Sequence, residues 1–501
     1  MTKNKTLLSP LTILMIVIVL AALATWLVPA GRYDRIAYSG GSSFTYSNGQ
    51  GEKSLPFSQQ TLDSLKINIP LLSFENGSIK KPISVPGTYQ KLATNRQGLV
   101  DILKAPIRGV HESIDIVFFI LVIGGFMQVF TASGAMEKGI AALSQRMNGR
   151  ESWLIVILTF LFCFGGASFG MAEEGLVFYP LLIPIFLAAG FDLLVPVAVI
   201  FAGTQMGTLS SFSNPFSTII ASSAAGVSWT DGLIGRIGMF VITSVILIVY
   251  IVRYAMKIKK DPTASLVYRL QGNVAPIYNS TPTGVQTQEP LDTRSTLLLA
   301  QFFLTFIVMI VGVVFFEWWL LEMTTLFFAS ALLLGFLQRM KESSFLKQFM
   351  EGAAGLLSVA LIIGTARGVT VVLNEGNISD SIIYYAAGFA SSMPTSIFII
   401  AMLVIYMVFT LFISSSSGMA VLTMPIMGSL AILVDVPGRE IVNAYLYGMG
   451  IMGFITPTGL MLPALALTNL SVKTWWRFIY PVLIMLFVVC AVALVLGVYM
   501  A

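Results

Sequence analysis

The sequence predicts an all-α integral membrane protein of two inverted repeats, each with a re-entrant hairpin and an interrupted helix, and about nine full spans. Of its 501 residues, 56% are hydrophobic and 11% are charged, which is more apolar surface than a soluble core can hide. A Gly-Met-Ala motif interrupts an apolar run twice, at Gly170 and at Gly418. A second broken run follows each motif, at 206–215 and 452–459. Paired interruptions in two apolar halves indicate the binding site of a secondary transporter.

The chain divides into membrane, polar and linker segments. The first apolar stretch, Leu11 to Val28, is long enough to span a bilayer and is expected to be retained as a helix. The polar stretch after it contains strand-like and turn-like pieces before a helix that starts at Leu99. The predicted segments are an N-terminal membrane helix (1–29), an extracytoplasmic subdomain (30–113), a first repeat (114–252) with hairpin 153–189 and interrupted helix 195–226, a cytoplasmic linker (253–294), connecting helices (295–352), and a second repeat (353–501) with hairpin 395–434 and interrupted helix 440–468.

Each hairpin has an alternative interpretation as two ordinary spans joined by a tight turn. Lys and Arg in short loops favour the hairpins, because such loops stay on the cytoplasmic side of the membrane. With hairpins, one face collects Lys3, Lys5, Lys138, the cluster Arg253 to Lys260, and Lys473 with Arg477, among others. The opposite short loops contribute only Arg439. This topology places the amino terminus in the cytoplasm and the carboxyl terminus outside.

The same topology makes the two repeats inverted. The unit that starts near residue 114 enters the membrane from outside, and the unit that starts near 353 enters from inside. Predicted surface helices at 135–150 and 378–392 precede the hairpins. Inverted repeats place a shared site at the bilayer midplane, which is the geometric basis of alternating access.

The four breaks are expected to meet, because non-helical backbone at membrane depth is tolerated only inside protein or beside a wet cavity. Unwound carbonyls suit a small cation, and half-helix amino termini suit a carboxylate. Taken singly, the hydroxyl groups could merely satisfy helix packing. The candidate substrate or ion ligands are Ser168, Gly170, Glu173, Glu174, Ser210, Ser211, Ser213, Asn214, Pro215, Arg367, Ser414, Ser415, Ser416, Ser417, Gly418, Thr456, Pro457 and Thr458.

Glu173 and Glu174 are the sharpest single signals. A charge at mid-membrane costs about 3 kcal/mol and persists where it faces a cavity or a partner. The pair could coordinate a coupling cation, relay protons or bind a cationic substrate group. Alternatively, one carboxylate caps the second half-helix, where the helix dipole favours negative charge.

Arg367 lies deep within a predicted span. It could bind a substrate carboxylate through two hydrogen bonds, pair with a hairpin glutamate, or extend to the membrane surface. No cofactor is expected apart from a coupling ion, either H⁺ or Na⁺, with Na⁺ placed near Ser213 and Asn214.

Other functional classes find little support. Cys163 and Cys490 stand alone in apolar runs, and His111 is the single histidine, so neither a disulfide framework nor a metal cluster is indicated. An intramembrane enzyme would need a nucleophile and base or metal ligands at depth, which Glu173 and Glu174 without histidine partners do not supply. Inverted repeats with hairpins argue against a passive channel. The net charge of +5 reflects cytoplasmic loops facing anionic lipid, so no nucleic-acid partner is expected.

The stretch Gly166 to Glu174, followed by Phe178 to Pro184, resembles the YfcC family. Further matches lie at 28–31, 85–89, 213–216 and 415–420. The resemblance implies kinship with anaerobic C4-dicarboxylate carriers and, more distantly, with the ion transporter superfamily. It also implies a homodimeric elevator, in which hairpins and interrupted helices move against a scaffold, and members are often named as candidate basic amino acid antiporters.

One motif departs from the sodium-coupled relatives, since their Ser-Asn-Thr pattern has Pro215 in its third position here. We therefore predict a secondary active transporter of the bacterial inner membrane that moves an amino acid, such as arginine or ornithine, by exchange or cation coupling. The alternative is a carrier of C4-dicarboxylates or other small carboxylates, with Arg367 as the anchor.

Overall fold

The computed structural model describes residues 9–267 and 292–499, except 39, 50, 68, 76–78, 80, 81, 137, 140, 141, 143–150, 317, 319, 392 and 414. The described chain is mostly helical. Its helices are α1 Pro10–Leu27, α2 Gln59–Ser64, α3 Leu72–Glu75, α4 Leu99–Glu112, α5 Ile114–Thr131, α6 Glu151–Ser168, α7 Tyr179–Ala188, α8 Leu194–Leu209, α9 Ile220–Ala224, α10 Leu233–Lys260, α11 Thr293–Phe316, α12 Leu320–Leu337, α13 Glu342–Glu375, α14 Ser379–Ala390, α15 Thr395–Phe412, α16 Ser416–Leu433, α17 Gly438–Gly453, α18 Met461–Thr468 and α19 Val472–Tyr499.

The polar segment after α1 contains two small antiparallel sheets, so the term all-α is wrong for this part of the chain. The strands are β1 Gly31–Arg32, β2 Arg35–Ala37, β3 Ser43–Asn48, β4 Gly51–Pro56, β5 Ile83–Ser84 and β6 Gln90–Lys91. One sheet has the order β4-β3-β2-β5, and β1 pairs with β6. Phe44, Phe57 and Phe74 pack their rings together beside the larger sheet, which gives this segment a core of its own.

Among the described helices, eight are long and apolar enough to cross a membrane: α1, α5, α6, α10, α12, α13, α15 and α19. This set differs from the nine predicted spans, because it includes the first helix of each hairpin, α6 and α15. An 18-residue helix is about 27 Å long, close to the thickness of the hydrocarbon core. Length alone therefore does not separate a hairpin helix from a full span, and the predicted count of nine is not confirmed.

Contacts divide most of the helices into two groups. The first, called the α13 group, contains α1, α4, α5, α11, α12 and α13. Helices α4 and α5 pack along α13 with very close backbones: a Cβ at Gly109 would lie 2.2 Å from the Gly364 carbonyl oxygen, and one at Gly124 would lie 2.4 Å from that of Gly352. Side chains larger than hydrogen would separate these helices.

The second group, called the hairpin group, contains α6 to α10 and α15 to α19. Its centre is the crossing of α8 with α17, where a Cβ at Gly450 would lie 2.3 Å from Leu209 Cβ. Gln205 Nε2 donates a hydrogen bond to the Gly450 carbonyl oxygen at 3.3 Å. The two interrupted helices, one from each half of the chain, therefore contact each other beside their breaks.

The strand-containing segment docks where α13 ends and α14 begins. Arg35 Nη2 lies 2.7 Å and 2.8 Å from the two carboxylate oxygens of Asp380, and Tyr89 stacks on Tyr384 with ring centroids 4.0 Å apart. The Gly31 amide donates to the Asn377 carbonyl oxygen. The segment is thus anchored to the second half of the chain.

Candidate functional site

The tip of the predicted first hairpin, 153–189, forms where α6 ends. Gly170 has a φ of 84°, a left-handed conformation that glycine adopts without steric cost. A Cβ at this position would lie 2.7 Å from Asn214 Oδ1. The amides of residues 169–171 all donate to the Gly165 carbonyl oxygen. The tip is therefore a compact turn pressed against the break of the neighbouring interrupted helix.

Polar groups of that break bind the carbonyl end of α6. Ser211 Oγ donates to the Ala167 carbonyl oxygen at 3.3 Å, and Ser213 Oγ donates to that of Ser168 at 3.1 Å. Asn214 Nδ2 donates to the Gly166 carbonyl oxygen at 3.1 Å. These carbonyls lack partners within α6, because the last turn of a helix leaves its acceptors free. The break closes the end of the hairpin helix.

The second half repeats this arrangement. Thr456 Oγ1 donates to the Thr410 carbonyl oxygen at 3.4 Å, and Thr458 Oγ1 donates to that of Leu411 at 3.2 Å. Thr410 and Leu411 belong to the last turn of α15, which corresponds to the end of α6. In both halves, then, hydroxyls from the interrupted helix satisfy the carbonyl end of the first hairpin helix.

Three more of the predicted ligands lie in or beside the breaks and have a defined structural role. Ser210 is fully buried, and its Oγ donates to the Met206 carbonyl oxygen at 2.8 Å, so it serves α8. Ser168 Oγ likewise donates within α6, to the Phe164 carbonyl oxygen. Pro215 begins the short π-helix Pro215–Ile219 that precedes α9, where a missing amide hydrogen costs nothing.

The tip of the second hairpin is the amino terminus of α16. Ser415 Oγ accepts a hydrogen bond from the Gly418 amide at 3.1 Å, and the Tyr445 hydroxyl donates to the Ser416 carbonyl oxygen at 2.9 Å. Residues 415–418 are half-buried, and the first turn of α16 carries no acidic residue. The predicted ligand Ser414 lies outside the described residues.

The two glutamates of the first tip have different surroundings. Glu174 is 4% exposed, and its Oε2 accepts a hydrogen bond from the Ala172 amide at 2.8 Å. Glu173 is half-buried, and Arg367 is the basic residue within electrostatic range of it, although these two described residues form no ion pair. The capping interpretation thus fits Glu174.

Helix α13 brings Arg367 to this site together with a residue that the sequence analysis missed. Thr370, one turn after Arg367, donates through Oγ1 to the Phe412 carbonyl oxygen at 3.3 Å. Its position three residues from Arg367 on the same helix could have predicted this, since such residues share a helix face. Gln205, which joins the two interrupted helices, was also missed, although it is a lone amide in an apolar run.

The predicted sodium position near Ser213 and Asn214 stays a prediction. Asn214 Oδ1 already accepts hydrogen bonds from the amides of Phe216 and Ser217, at 2.8 and 3.2 Å. The Ser213 hydroxyl retains lone pairs for a cation. Among the described residues, no cluster of three or more His, Cys, Asp or Glu side chains could hold a metal ion.

Apolar helices of membrane-spanning length and a family match over nearly the whole chain identify a multi-pass membrane transporter. The chain belongs to the DcuC family, whose model, described as C4-dicarboxylate anaerobic carrier, matches residues 7–499. The resemblance found from sequence motifs is thereby confirmed.

Two relatives match nearly the whole chain. A Haemophilus influenzae protein named as uncharacterized is 38% identical over 98% of this chain and 96% of its own length. The Escherichia coli protein YfcC, named as a candidate basic amino acid antiporter, is 28% identical over 97% of this chain and 95% of its own length.

Two solved structures are distantly similar. Neisseria gonorrhoeae MtrF, whose report describes a class of antimetabolite efflux pumps, is 16% identical, covers 99% of this chain and 96% of its own, and has a TM-score of 0.40. The Alcanivorax borkumensis YdaH transporter is 12% identical, covers 98% of both chains, and has a TM-score of 0.39. These scores are too low to define a common fold.

Proposed function

We propose that this protein is a secondary active transporter that exchanges basic amino acids across the bacterial inner membrane. The observation that carries the proposal is the half-buried Glu173 carboxylate at the first hairpin tip. A carboxylate at membrane depth binds a cation strongly, because little water competes for its charge. The Escherichia coli relative, named as a candidate basic amino acid antiporter, supports this substrate class.

The second hairpin tip suits the carboxylate of the same substrate. The amino terminus of α16 has positive dipole charge and no acidic residue in its first turn, which favours an anion. The first tip carries Glu173 and Glu174 in the equivalent place. This difference between the tips orients an amino acid, with its side-chain cation toward Glu173 and its α-carboxylate toward α16.

The test is counterflow in proteoliposomes loaded with arginine, ornithine, neutral amino acids or C4-dicarboxylates. Labelled arginine should accumulate against internal arginine or ornithine without any ion gradient. Glu173→Gln should reduce this uptake about 10- to 100-fold, because a charge-assisted hydrogen bond contributes about 1.5–3 kcal/mol. Glu351→Gln, which removes an exposed carboxylate on α13, is the matched control. Full uptake by Glu173→Gln would contradict the proposed site.

Transport of a C4-dicarboxylate is the second candidate, favoured by the family description and by Arg367. On this hypothesis the guanidinium binds a substrate carboxylate, as arginine commonly does. Succinate would then show counterflow, Arg367→Ala would abolish it, and Glu173 would serve coupling or structure. Added sodium or proton gradients in the same assay test whether either ion is coupled.

For the mechanism we propose an elevator built from two inverted repeats, with a homodimer as the assembly. The matching hydrogen bonds of Ser211 and Ser213 in one half and Thr456 and Thr458 in the other support an internal repeat. Separation of the helices into two contact groups supports movement of the hairpin group against the α13 group.

The proposed topology has a cytoplasmic amino terminus and an external carboxyl terminus. Two ion pairs, Lys138 with Asp292 and Lys259 with Glu151, each join segments assigned to the cytoplasmic face. Other pairs, Arg35 with Asp380 and Arg439 with Asp231, each join segments assigned to the outer face. These ion pairs link segments of the same assigned face, which supports the assignment.

A further inference from the structure

A tyrosine attaches the second hairpin tip to the interrupted helix α17. Tyr445 is fully buried, and its hydroxyl donates a hydrogen bond to the Ser416 carbonyl oxygen at 2.9 Å. Ser416 is the first residue of α16, the helix whose amino terminus is the proposed site of the substrate carboxylate. The hydrogen bond therefore joins α17 directly to this proposed carboxylate site.

The ring of Tyr445 is held in place by α15, the other helix of the same hairpin. It packs edge-on against the ring of Tyr406, with centroids 5.4 Å apart. Gly448 lies on the same face of α17 as Tyr445, and a Cβ there would lie 2.6 Å from the Leu403 carbonyl oxygen of α15. Because a ring in such close packing has little freedom to move, its hydroxyl holds the Ser416 carbonyl at a defined position.

The equivalent position in the first half of the chain is an isoleucine. Tyr445 precedes Thr456 by 11 residues, and Ile200 precedes Ser211 by the same number. Thr456 and Ser211 make matching hydrogen bonds to the first helices of their hairpins. Ile200 also faces its own tip, since a Cβ at Gly175 would lie 3.6 Å from Ile200 Cγ2. An isoleucine side chain cannot donate a hydrogen bond, so the two tips are attached to their interrupted helices in different ways.

We propose that Tyr445 is a positioning residue for the substrate carboxylate, because its hydrogen bond to Ser416 holds the amino terminus of α16 in the orientation that binds the anion. This inference rests on the proposed transport of amino acids. The amide dipoles of a helix amino terminus stabilise an anion when they point at it. Without the hydrogen bond, the tip would have to be ordered each time a substrate binds, which lowers the affinity.

Counterflow kinetics test the effect on the substrate. Tyr445→Phe removes the hydroxyl and keeps the ring that packs against Tyr406. The variant should raise the KM for arginine about two- to tenfold, the equivalent of one hydrogen bond between uncharged groups, and should leave the maximal rate unchanged. Agmatine, which is arginine without its α-carboxylate, should have the same inhibition constant in the variant and in the wild type.

The matched control is Tyr447→Phe, which removes the hydroxyl from another buried tyrosine of α17 and should keep the wild-type KM. Equal losses of affinity for arginine and agmatine in Tyr445→Phe would overturn the proposal, because a general disturbance of the site would weaken the binding of both. An unchanged KM for arginine would overturn it as well.

Maleimide labelling of the two tips in proteoliposomes tests the same hydrogen bond without any substrate. Ser416→Cys places a thiol at the second tip and keeps the backbone carbonyl that accepts the bond, and Ser168→Cys places one at the first tip. Both positions are half-buried, and the native cysteines are buried. Addition of Tyr445→Phe should raise the labelling rate of Ser416→Cys about two- to tenfold and should leave that of Ser168→Cys unchanged.

The labelling separates failure of this inference from failure of the proposed substrate. An unchanged labelling rate of Ser416→Cys would overturn the positioning role of Tyr445. A rise at both tips would overturn it too, because that pattern indicates a general loosening of the hairpins. A rise at the second tip alone, in a protein that does not transport arginine, would support the positioning of the tip by Tyr445 and contradict the basic substrate.

Discussion

At the scale of single residues, glycines decide how closely the helices of the hairpin group approach. Gly207 of α8 faces α6, and a Cβ there would lie 2.1 Å from the Cys163 carbonyl oxygen. Because a backbone atom cannot move aside as a flexible side chain can, α6 and α8 would have to separate. The hydrogen bonds from Ser211 and Ser213 to the end of α6 depend on this approach.

Gly207→Ala should therefore destabilise the protein by about 1–3 kcal/mol, the cost of overpacking a close-packed site. The measurement is the unfolding temperature of the purified protein in detergent. Gly238→Ala is the matched control, since a Cβ there has open space around it and alanine favours a helix over glycine. Equal unfolding temperatures for the two variants would contradict the close approach of α6 and α8.

The polar residues of the two breaks can be located from the sequence, but the backbone groups that they bind cannot. Polar residues that interrupt apolar runs at 210–214 and 456–458 mark the breaks in the sequence alone. Their hydroxyls and amide donate to carbonyls at the ends of α6 and α15, and their role as ligands stays a prediction. A backbone carbonyl without a hydrogen-bond donor is costly at membrane depth. These side chains therefore donate their hydrogen bonds to backbone carbonyl oxygens.

At the scale of elements, a buried carboxylate joins the start of the predicted cytoplasmic linker to the hairpin group. Asp192, between α7 and α8, is 1% exposed, and its Oδ2 accepts hydrogen bonds from the Tyr254 hydroxyl and Ser265 Oγ, each at 2.6 Å. Its Oδ1 accepts the Leu194 amide at 3.0 Å. Burial raises the pKa of this carboxyl, although the hydrogen bonds oppose the change.

Because the pKa of Asp192 is raised in the folded protein, the stability of the protein should fall as this carboxyl loses its proton. Between the ordinary pKa of an aspartate and the raised pKa of folded Asp192, the folded protein binds more protons than the unfolded chain. The stabilising contribution of Asp192 to the free energy of unfolding is therefore fully present at pH values below the ordinary pKa of an aspartate. It is lost as pH rises through the raised pKa of folded Asp192. Asp192→Asn should lack this component.

The measurement is the difference in unfolding temperature between wild type and Asp192→Asn in detergent, from about pH 4 to about pH 7, a range that starts near the ordinary pKa of an aspartate. The wild type should lose stability relative to the variant as pH rises. A difference that does not change with pH, or one that changes in the opposite direction, would contradict the assigned burial of the carboxylate.

The helix boundaries predicted from the sequence match the structure in some places and differ in others. Helix α13 begins at Glu342, well before the predicted start of its span at 353, because polar residues of its first turns extend the helix beyond the apolar part. Helix α14, Ser379–Ala390, lies within the predicted surface helix 378–392. Much of the other predicted surface helix, 135–150, lies outside the described residues.

At the scale of the whole molecule, the proposed topology makes a direct prediction for labelling. Ser54 is exposed in the strand-containing segment, and Thr263 is exposed just after α10. The native cysteines, Cys163 and Cys490, are fully buried and should contribute little background. A membrane-impermeant maleimide should label Ser54→Cys in intact cells, and should label Thr263→Cys only after permeabilisation. The reverse pattern would invert the proposed orientation.

The sequence by itself determined that this chain lies in a membrane, that its polar breaks come in matching pairs, and which residues those breaks contain. Composition and hydropathy suffice for this, because lipid solvates apolar helices and excludes unpaired backbone. Only the tertiary structure decided that hydroxyls of the breaks hydrogen-bond to the ends of α6 and α15, that Glu174 accepts the Ala172 amide, and that Thr370 contacts the end of α15. Those outcomes depend on contacts between segments far apart in the chain, such as α13 with the end of α15, which no local pattern specifies.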